Sequence, residues 1–227
     1  MVKFSAIVLA GGIGKRMGRS IPKQLLLLKG KPMIMHSVEK LDVVSEVDEI
    51  IVTCPTEFMS DIRDTIRNFG IAKKTLCIDG GVTRQESVHN ALRVAANEHV
   101  LLHEAARPFV SVGEFQTIVS SHHKYVTYAT KIPFTVSQGT DRIIGLLDRD
   151  TLLNIQLPQK FPKSDLLRCH ELARVQGRTF TEDSSMIVHY LNETVQVLEG
   201  TEFNIKVTTP LDMAIGEILQ DEILGRR

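Results

Sequence analysis

The sequence has 227 residues, 27 lysines and arginines against 27 aspartates and glutamates, and 43% hydrophobic residues. That length and composition suit one α/β unit with a sizeable core and exclude a disordered chain. The zero net charge speaks against a general affinity for nucleic acid or anionic membrane, and no apolar run approaches the roughly 20 residues that span a bilayer.

In chain order, residues 4–9 read as a strand, in a run too short and wrongly flanked for a secretory signal, so a cytoplasmic protein is expected. A helical pattern follows at 32–41, then strand 49–54, helix 57–69, strand 75–78, helix 84–96, strand 100–103 and helix 113–122. The first strands are continuously apolar, as a parallel sheet covered on both faces requires. The alternation predicts a doubly wound, mostly parallel α/β sheet with ligands at the carboxyl ends of its strands. Residues 125–161 break the rhythm with a short strand, a polar turn at Ser137-Gln-Gly-Thr-Asp141, a stretch at 142–147 and a turn at Asp148-Arg-Asp150. This reads as a hairpin-like arm, bounded at 133–157, that protrudes from a single domain spanning 1–227 and packs on a second subunit. Helices are expected at 164–176, 182–191 and 210–224.

Helix starts are marked. Thr83 stands three residues before Glu86, as in a capping box. Thr181 precedes two acids and Thr209 precedes Pro210, so each can cap. Ile215, Ile218, Leu219, Ile223 and Leu224 form a helical stripe read as packing. Cys54, Cys77 and Cys169 have no metal or CxxC spacing and read as buried, reduced thiols. His122-His-Lys124 reads as a solvated last turn complementing a helix dipole. His103, ending an apolar strand, reads as a hydrogen-bonded structural residue in preference to an acid or base.

The chemistry begins at Leu9-Ala-Gly-Gly-Ile-Gly-Lys-Arg-Met-Gly18, directly after the first strand. Glycines let the backbone turn tightly and bring N–H groups to phosphate oxygens. Arg16 adds a forked donor and Lys15 a second charge. No Gly-Lys-Ser/Thr follows, so this is not a Walker A loop, and Met17 stands where a dinucleotide fingerprint needs its third glycine. Ile21-Pro-Lys-Gln24 follows. Lys23 is either a solvated surface charge or a cation converging with Arg16 on one triphosphate. Lys206 alternates with Ile205 and Val207, as a strand residue facing away from them. That face is either solvent or a site.

The pattern Ala10-Gly-Gly-x-Gly-x-Arg-Met17 followed by Pro22-Lys-Gln24 resembles a family of nucleotidyltransferases. Its members include 2-C-methyl-D-erythritol 4-phosphate and ribitol-5-phosphate cytidylyltransferases. Further matches are Gly80-Gly-Val-Thr-Arg-Gln-Glu-Ser-Val88, His103-Glu-Ala-Ala-Arg-Pro108, Leu157-Pro-Gln159, Thr181-Glu-Asp183 and Asn204-Ile-Lys-Val-Thr208. The resemblance implies a Rossmann-like nucleotidyltransferase fold, a homodimer, and transfer of CMP from CTP to a polyol phosphate with Mg²⁺. It implies that Ala10, Gly11, Gly12, Gly14 and Lys15 hold the triphosphate, that Gly80, Gly81 and Ser87 meet the nucleoside, and that Ala105 also binds CTP. Arg84 belongs with them in the family, although its residue type alone also fits a surface charge or a structural partner of the turn. Arg16, Lys23 and Lys206 are implied to be catalytic. Glu104, Arg107, Ser137, Arg149 and Thr181 are implied to face the acceptor, Arg149 from across a dimer. Mg²⁺ is expected to ride mainly on CTP phosphates, with no ligand residues assigned.

The sequence departs from that family on the acceptor side. Glu104 stands where an aspartate is usual and reaches about one methylene further. Val136 replaces an aspartate, Ser137 a threonine, and Leu157 a threonine. Lost hydroxyls and charges shift specificity, so methylerythritol phosphate and ribitol phosphate both remain open as acceptors, with isoprenoid or surface-polymer synthesis as the corresponding pathways. The alternatives are a nucleotidyltransferase for another nucleotide or sugar phosphate, and a non-catalytic CTP-binding relative.

Overall fold

The computed structural model describes residues 2–12 and 22–225. Its frame is a seven-stranded sheet in the order β11-β7-β10-β6-β1-β4-β5. The strands are β1 (Phe4–Leu9), β4 (Val47–Cys54), β5 (Lys74–Asp79), β6 (His99–Glu104), β7 (Val126–Lys131), β10 (Leu153–Pro162) and β11 (Gln196–Glu199). β10 runs antiparallel to both β6 and β7, and the other neighbouring pairs are parallel. The mostly parallel, doubly wound α/β reading holds.

The strand sequences explain their burial. All six residues of β1 are buried, because successive side chains enter opposite layers. Ala6 and Val8 join Ile50, Val52, Leu101 and Phe115 on one face. That layer is closed by α1 (Met35–Asp42), α2 (Met59–Asn68) and α4 (Val112–Ser120). Ile7 and Leu9 join Ile51, Val100 and Leu102 on the other. There α3 (Arg84–Val94), α5 (Lys163–Val175) and α6 (Asp183–Leu191) cover the sheet. A smaller cluster of Leu28, Met33, Phe109 and Val207 ties the segment 204–208 and α7 (Pro210–Gly225) to the hairpin of β2 (Leu27–Leu28) and β3 (Lys31–Pro32).

Several local expectations are corrected. Pro32 lies in β3, so α1 starts at Met35, because the β2–β3 pairing claims the residues before it. A short 3-10 turn at Thr56–Phe58 precedes α2. α4 ends at Ser120, leaving His122 and His123 beyond the helix, with Lys124 paired to Asp165 at 2.7 Å. Glu182, rather than Thr181, caps α6, its carboxylate accepting from Asp183 N. Residues 204–208 are irregular rather than a strand. Of the stripe on α7, Leu219 joins the small cluster while Ile215 and Ile218 are exposed, and the side chains of Ile223 and Leu224 lie outside those described. The caps at Thr83 and Thr209 form as read, with Thr209 accepting from Asp212 N and Asp212 accepting from Thr209 N. Within residues 133–157, β8 (Val136–Gly139) and β9 (Ile143–Leu147) make a separate two-stranded sheet, while residues 153–157 belong to β10. Cys54, Cys77 and Cys169 are buried and unpaired.

Candidate active site

The carboxyl ends of β6, β1, β4 and β5 lie side by side in that order, and the backbone links them beyond the ladder. Ala10 N donates to Thr53 O at 2.8 Å, Ala105 N to Leu9 O at 3.0 Å, and Gly80 N to Cys54 O at 2.8 Å. Gln24, buried, donates from Nε2 to Ala10 O. That bond ties the segment after the glycine-rich loop to the loop's first residue. Gly11 and Gly12 follow at the surface. Gly14, Lys15 and Arg16, which the sequence places in this loop, lie outside the described residues.

The Gly80-Gly81 turn is held by Ser87 on α3. Ser87 Oγ accepts from Gly81 N at 3.0 Å and donates to Thr83 O at 3.0 Å. A Cβ on Gly81 would stand 2.0 Å from Glu86 Cβ and 2.9 Å from Ser87 N, so the turn depends on that bare backbone. A Cβ on Gly11 would lie 3.6 Å from the same Ser87 Oγ, so the two glycine turns face one hydroxyl.

Across from them sits a cluster of charge around Glu104, the last residue of β6. Lys206 Nζ lies 2.9 Å from one Glu104 oxygen and 3.0 Å from the other. Arg84 Nε donates to Glu104 Oε1 at 3.3 Å, and Arg107 Nε is 3.5 Å from Oε2. Burial pushes the Glu104 carboxyl up, but Lys206, Arg84 and Arg107 together outweigh it and bring it down to about 2. Arg107 also donates from Nη1 to Asn204 O at 2.9 Å. Asn204 donates to Leu157 O at 2.6 Å, and Val207 N to Ala106 O at 2.8 Å. These bonds, with buried Val207, aim Lys206 at Glu104 although 204–208 is not a strand. Lys23 reaches the same segment, donating to Val207 O at 3.2 Å, and a Cβ on Gly12 would lie 3.3 Å from Lys23 Cε. Lys23, Gly12 and Lys206 therefore border one space at the strand ends.

Arg84 starts α3, yet its guanidinium points toward the acidic residues of α6. Nη1 donates to Asp183 Oδ2 at 2.5 Å, and Nη2 lies 3.8 Å from Glu182 Oε1. Burial lifts Glu182 above the usual carboxylate range against the pull of Arg84. Thr181 is exposed immediately before this pair. The structure thus gathers Lys23, Arg84, Glu104, Arg107 and Lys206. It places Arg84 on the Glu104 side rather than against the Gly80-Gly81 turn. Ser137 and Arg149 lie exposed on the arm, where Arg149 Nη1 donates to Pro133 O at 3.0 Å. Among the described residues neither bonds to the Glu104 cluster. Leu157 is packed in the core with Leu102 and Phe161, so its departure from the family pattern bears on packing.

A match to the family model "IspD: 2-C-methyl-D-erythritol 4-phosphate cytidylyltransferase" covers residues 4–222. The chain belongs to this family. The cytidylyltransferase from Clostridium botulinum (strain Langeland) is 32% identical, over 98% of this chain and 100% of that protein. The chloroplastic enzyme of Oryza sativa is 35% identical, over 96% of this chain and 74% of that protein. The crystal structure of 4-diphosphocytidyl-2C-methyl-D-erythritol synthase from Anaerococcus prevotii superposes with a TM-score of 0.86 at 27% identity, covering 97% of this chain and 96% of the other.

As a member of a cytidylyltransferase family the chain is a transferase with a nucleotidyltransferase fold. His103 has a structural role. It is buried, its Nε2 shared between Ser37 Oγ and Arg107 O at 3.1 Å each, with its ring edge-on to Phe115. Burial, aided by Arg107, brings it down to about 3, so it is neutral at pH 7. Residues missed from the sequence are Gln24, His170 and Asp183. Gln24 and Asp183 lie inside quoted motifs that signalled a site without assigning them roles. His170 carries no local signal, being one residue on a packed helix face. A cavity of about 380 Å³ between His123–Tyr125 and Glu193–Val197 lies at the start of β7 and β11, at the opposite end of the sheet.

Proposed function

We propose that the protein transfers CMP from CTP to the phosphate of 2-C-methyl-D-erythritol 4-phosphate and releases pyrophosphate. The observation that carries this is the convergence of Gly12, Lys23, Lys206 and the Glu104–Arg84–Arg107 cluster at the carboxyl ends of β1 and β6, in a chain matching the family over 4–222. An acceptor phosphate oxygen attacks the α-phosphorus, the α–β bridging P–O bond breaks, and its electron pair leaves with pyrophosphate. A phosphate monoester has its second pKa near about 6, so the nucleophile is already largely dianionic at pH 7 and needs no general base. The protein's contribution is position and charge. Lys23 and Lys206, with Arg16 from the loop, neutralise the charge on the transferring and leaving phosphates. The Gly80-Gly81 turn with Ser87 receives the cytosine and ribose, and Glu104 with Arg107 meets the acceptor hydroxyls and phosphate.

Mg²⁺ belongs to this reading as a counter-charge to the triphosphate. Among the described residues no group of three or more His, Cys, Asp or Glu side chains is placed to hold a cation. Glu104, the acid that ends β6, is already engaged by three basic side chains. That arrangement fits an ion carried on phosphate oxygens, with Lys23, Lys206 and backbone N–H groups contacting the phosphates and not the ion.

We further propose a homodimer formed through the arm and a cytoplasmic location. Phe134, Ile143, Ile144 and Leu146 are each 74–79% exposed on the arm, a density of exposed apolar side chains that calls for cover. Arg149 at its base would then face the acceptor phosphate of the partner. Sedimentation should give a dimer that Ile144→Asp converts to monomer with loss of turnover. A monomeric wild type that turns over normally would remove this part.

The main test is pyrophosphate release from CTP with Mg²⁺. Methylerythritol 4-phosphate and ribitol 5-phosphate serve as acceptors, with ATP, GTP and UTP as controls. Release with CTP and methylerythritol phosphate is expected. Release with ribitol phosphate instead would keep cytidylyl transfer and replace the acceptor. Silence with every pair would remove the catalytic reading.

A further inference from the structure

A buried line of charge runs behind the site. His170 on α5 has Nε2 2.9 Å from Asp183 Oδ1, and both side chains are 1% exposed. Burial pushes the Asp183 carboxyl up, but Arg84, with His170, brings it down to about 2. An ionised carboxylate only accepts, so His170 Nε2 is the donor. Asp183 Oδ2 takes Arg84 Nη1 at 2.5 Å, Arg84 Nε continues to Glu104 Oε1 at 3.3 Å, and Glu104 holds Lys206. α5, α6, α3, β6 and the segment 204–208 are thereby joined through five side chains.

Guanidinium donors form a rigid planar fork, so fixing two of its edges fixes its plane. Asp183 holds one edge of Arg84 and Glu104 another. The remaining nitrogen, Nη2, is buried without a hydrogen-bond partner among the described residues. Removing Asp183 would leave Arg84 anchored at Glu104, with Glu182 at 3.8 Å from Nη2. The guanidinium could then turn, and the Glu104 carboxylate with it.

We propose that Asp183, oriented by His170, is a positioning residue for the acceptor side of the site, fixing the plane of Arg84 and through it the carboxylate of Glu104. The inference rests on the reading of Glu104 as acceptor-facing. It makes the α5–α6 pair the rear support of the acceptor subsite, with no contact of its own with substrate.

Steady-state kinetics of Asp183→Asn, His170→Leu and His170→Gln, with CTP and methylerythritol 4-phosphate varied separately, test it. Loss of a charge-assisted bond of this kind should raise the acceptor KM about tenfold in Asp183→Asn and His170→Leu while leaving the KM for CTP within about twofold. His170→Gln keeps a donor near the Nε2 position and should restore the acceptor KM. Arginine side-chain NMR gives a readout independent of turnover. Arg84 Nη–H signals, assigned by their loss in Arg84→Lys, should be resolved in the wild type and in His170→Gln and broadened in the other two variants. A folded Asp183→Asn with unchanged acceptor KM would overturn the proposal, as would equal losses for CTP and acceptor, or a His170→Gln as impaired as His170→Leu. If Asp183→Asn does not fold, the two His170 variants, matched by circular dichroism, decide on the same criteria. A wild type that turns over no acceptor would instead sink the functional reading, and the NMR comparison would still decide whether Asp183 holds Arg84.

Discussion

Lys206 shows what a single position can disclose from sequence and what it cannot. Its alternation with Ile205 and Val207 correctly separates it from two packed neighbours, and the structure turns it onto Glu104. The strand inferred from the same alternation is absent, because the backbone bonds of 204–208 go to Ala106, Thr201 and Phe203 instead of a ladder. Glu104 and Lys206 are 102 positions apart, a pairing no local pattern reveals. In the proposed reaction Lys206 and Lys23 act on phosphate charge that shifts toward the leaving group. Lys206→Ala and Lys23→Ala should therefore each lower kcat by about a hundredfold. A change confined to the KM for CTP would mean ground-state binding only. Glu104→Gln tests the opposite partner. It keeps the size and removes the charge that gathers Lys206, Arg84 and Arg107, leaving three cations close together. The acceptor KM should rise at least about tenfold. A variant with wild-type acceptor kinetics would exclude Glu104 from the acceptor subsite.

Elements were most legible where a cap or a two-sided core left a local mark. β1, apolar but for Ser5, and the Ile50–Val52 run of β4 are buried because both faces are covered, and α3 opens on the Thr83–Glu86 capping box. β10 and β11 left no such mark. β10 carries Gln156, Gln159 and Lys160 buried within the sheet, their side chains bonded to Thr201 O, Thr127 Oγ1 and Ser121 O. β11 is an edge strand of four residues, short enough to read as loop. In the proposed reaction the Gly80-Gly81 turn receives the cytosine and ribose. A methyl group on Gly81 would collide with the backbone at Glu86–Ser87, the first turn of α3. Relief requires the turn to lift away from Ser87, breaking the Gly81 N to Ser87 Oγ bond. Gly81→Ala should accordingly weaken CTP binding by about tenfold while α3, held by its own capping box, remains folded. Calorimetric titration with CTP measures the first effect and circular dichroism the second. Unchanged CTP affinity would remove this turn from the nucleotide site.

The whole molecule places neutral histidines and ionised carboxylates in its interior, and this determines its response to acid. His103 is brought from the usual 6.5 down to about 3, and His36 and His89 are lowered as well, burial being the largest cause in each. A histidine that resists protonation when folded lets the unfolded chain bind the extra proton. Its contribution to stability is present above about pH 6.5 and is lost as the pH falls from there toward the folded value. Glu104 and Asp183, both about 2 in the fold, act lower down. Their contribution is present above the ordinary carboxylate range and is lost between about pH 4.5 and pH 2. Glu182, raised by burial, works in the other direction. Denaturant unfolding should therefore show stability falling from pH 6.5 downward, well before the carboxylates titrate. His103→Gln should be less stable at pH 7, because it disturbs the bonds to Ser37 and Arg107. Its slope between pH 6 and 4.5 should nevertheless be shallower by about 1.4 kcal/mol per pH unit, one proton's worth. An unaltered slope would mean that His103 takes up its proton within the fold, so that the strand end bearing Glu104 would carry an additional positive charge.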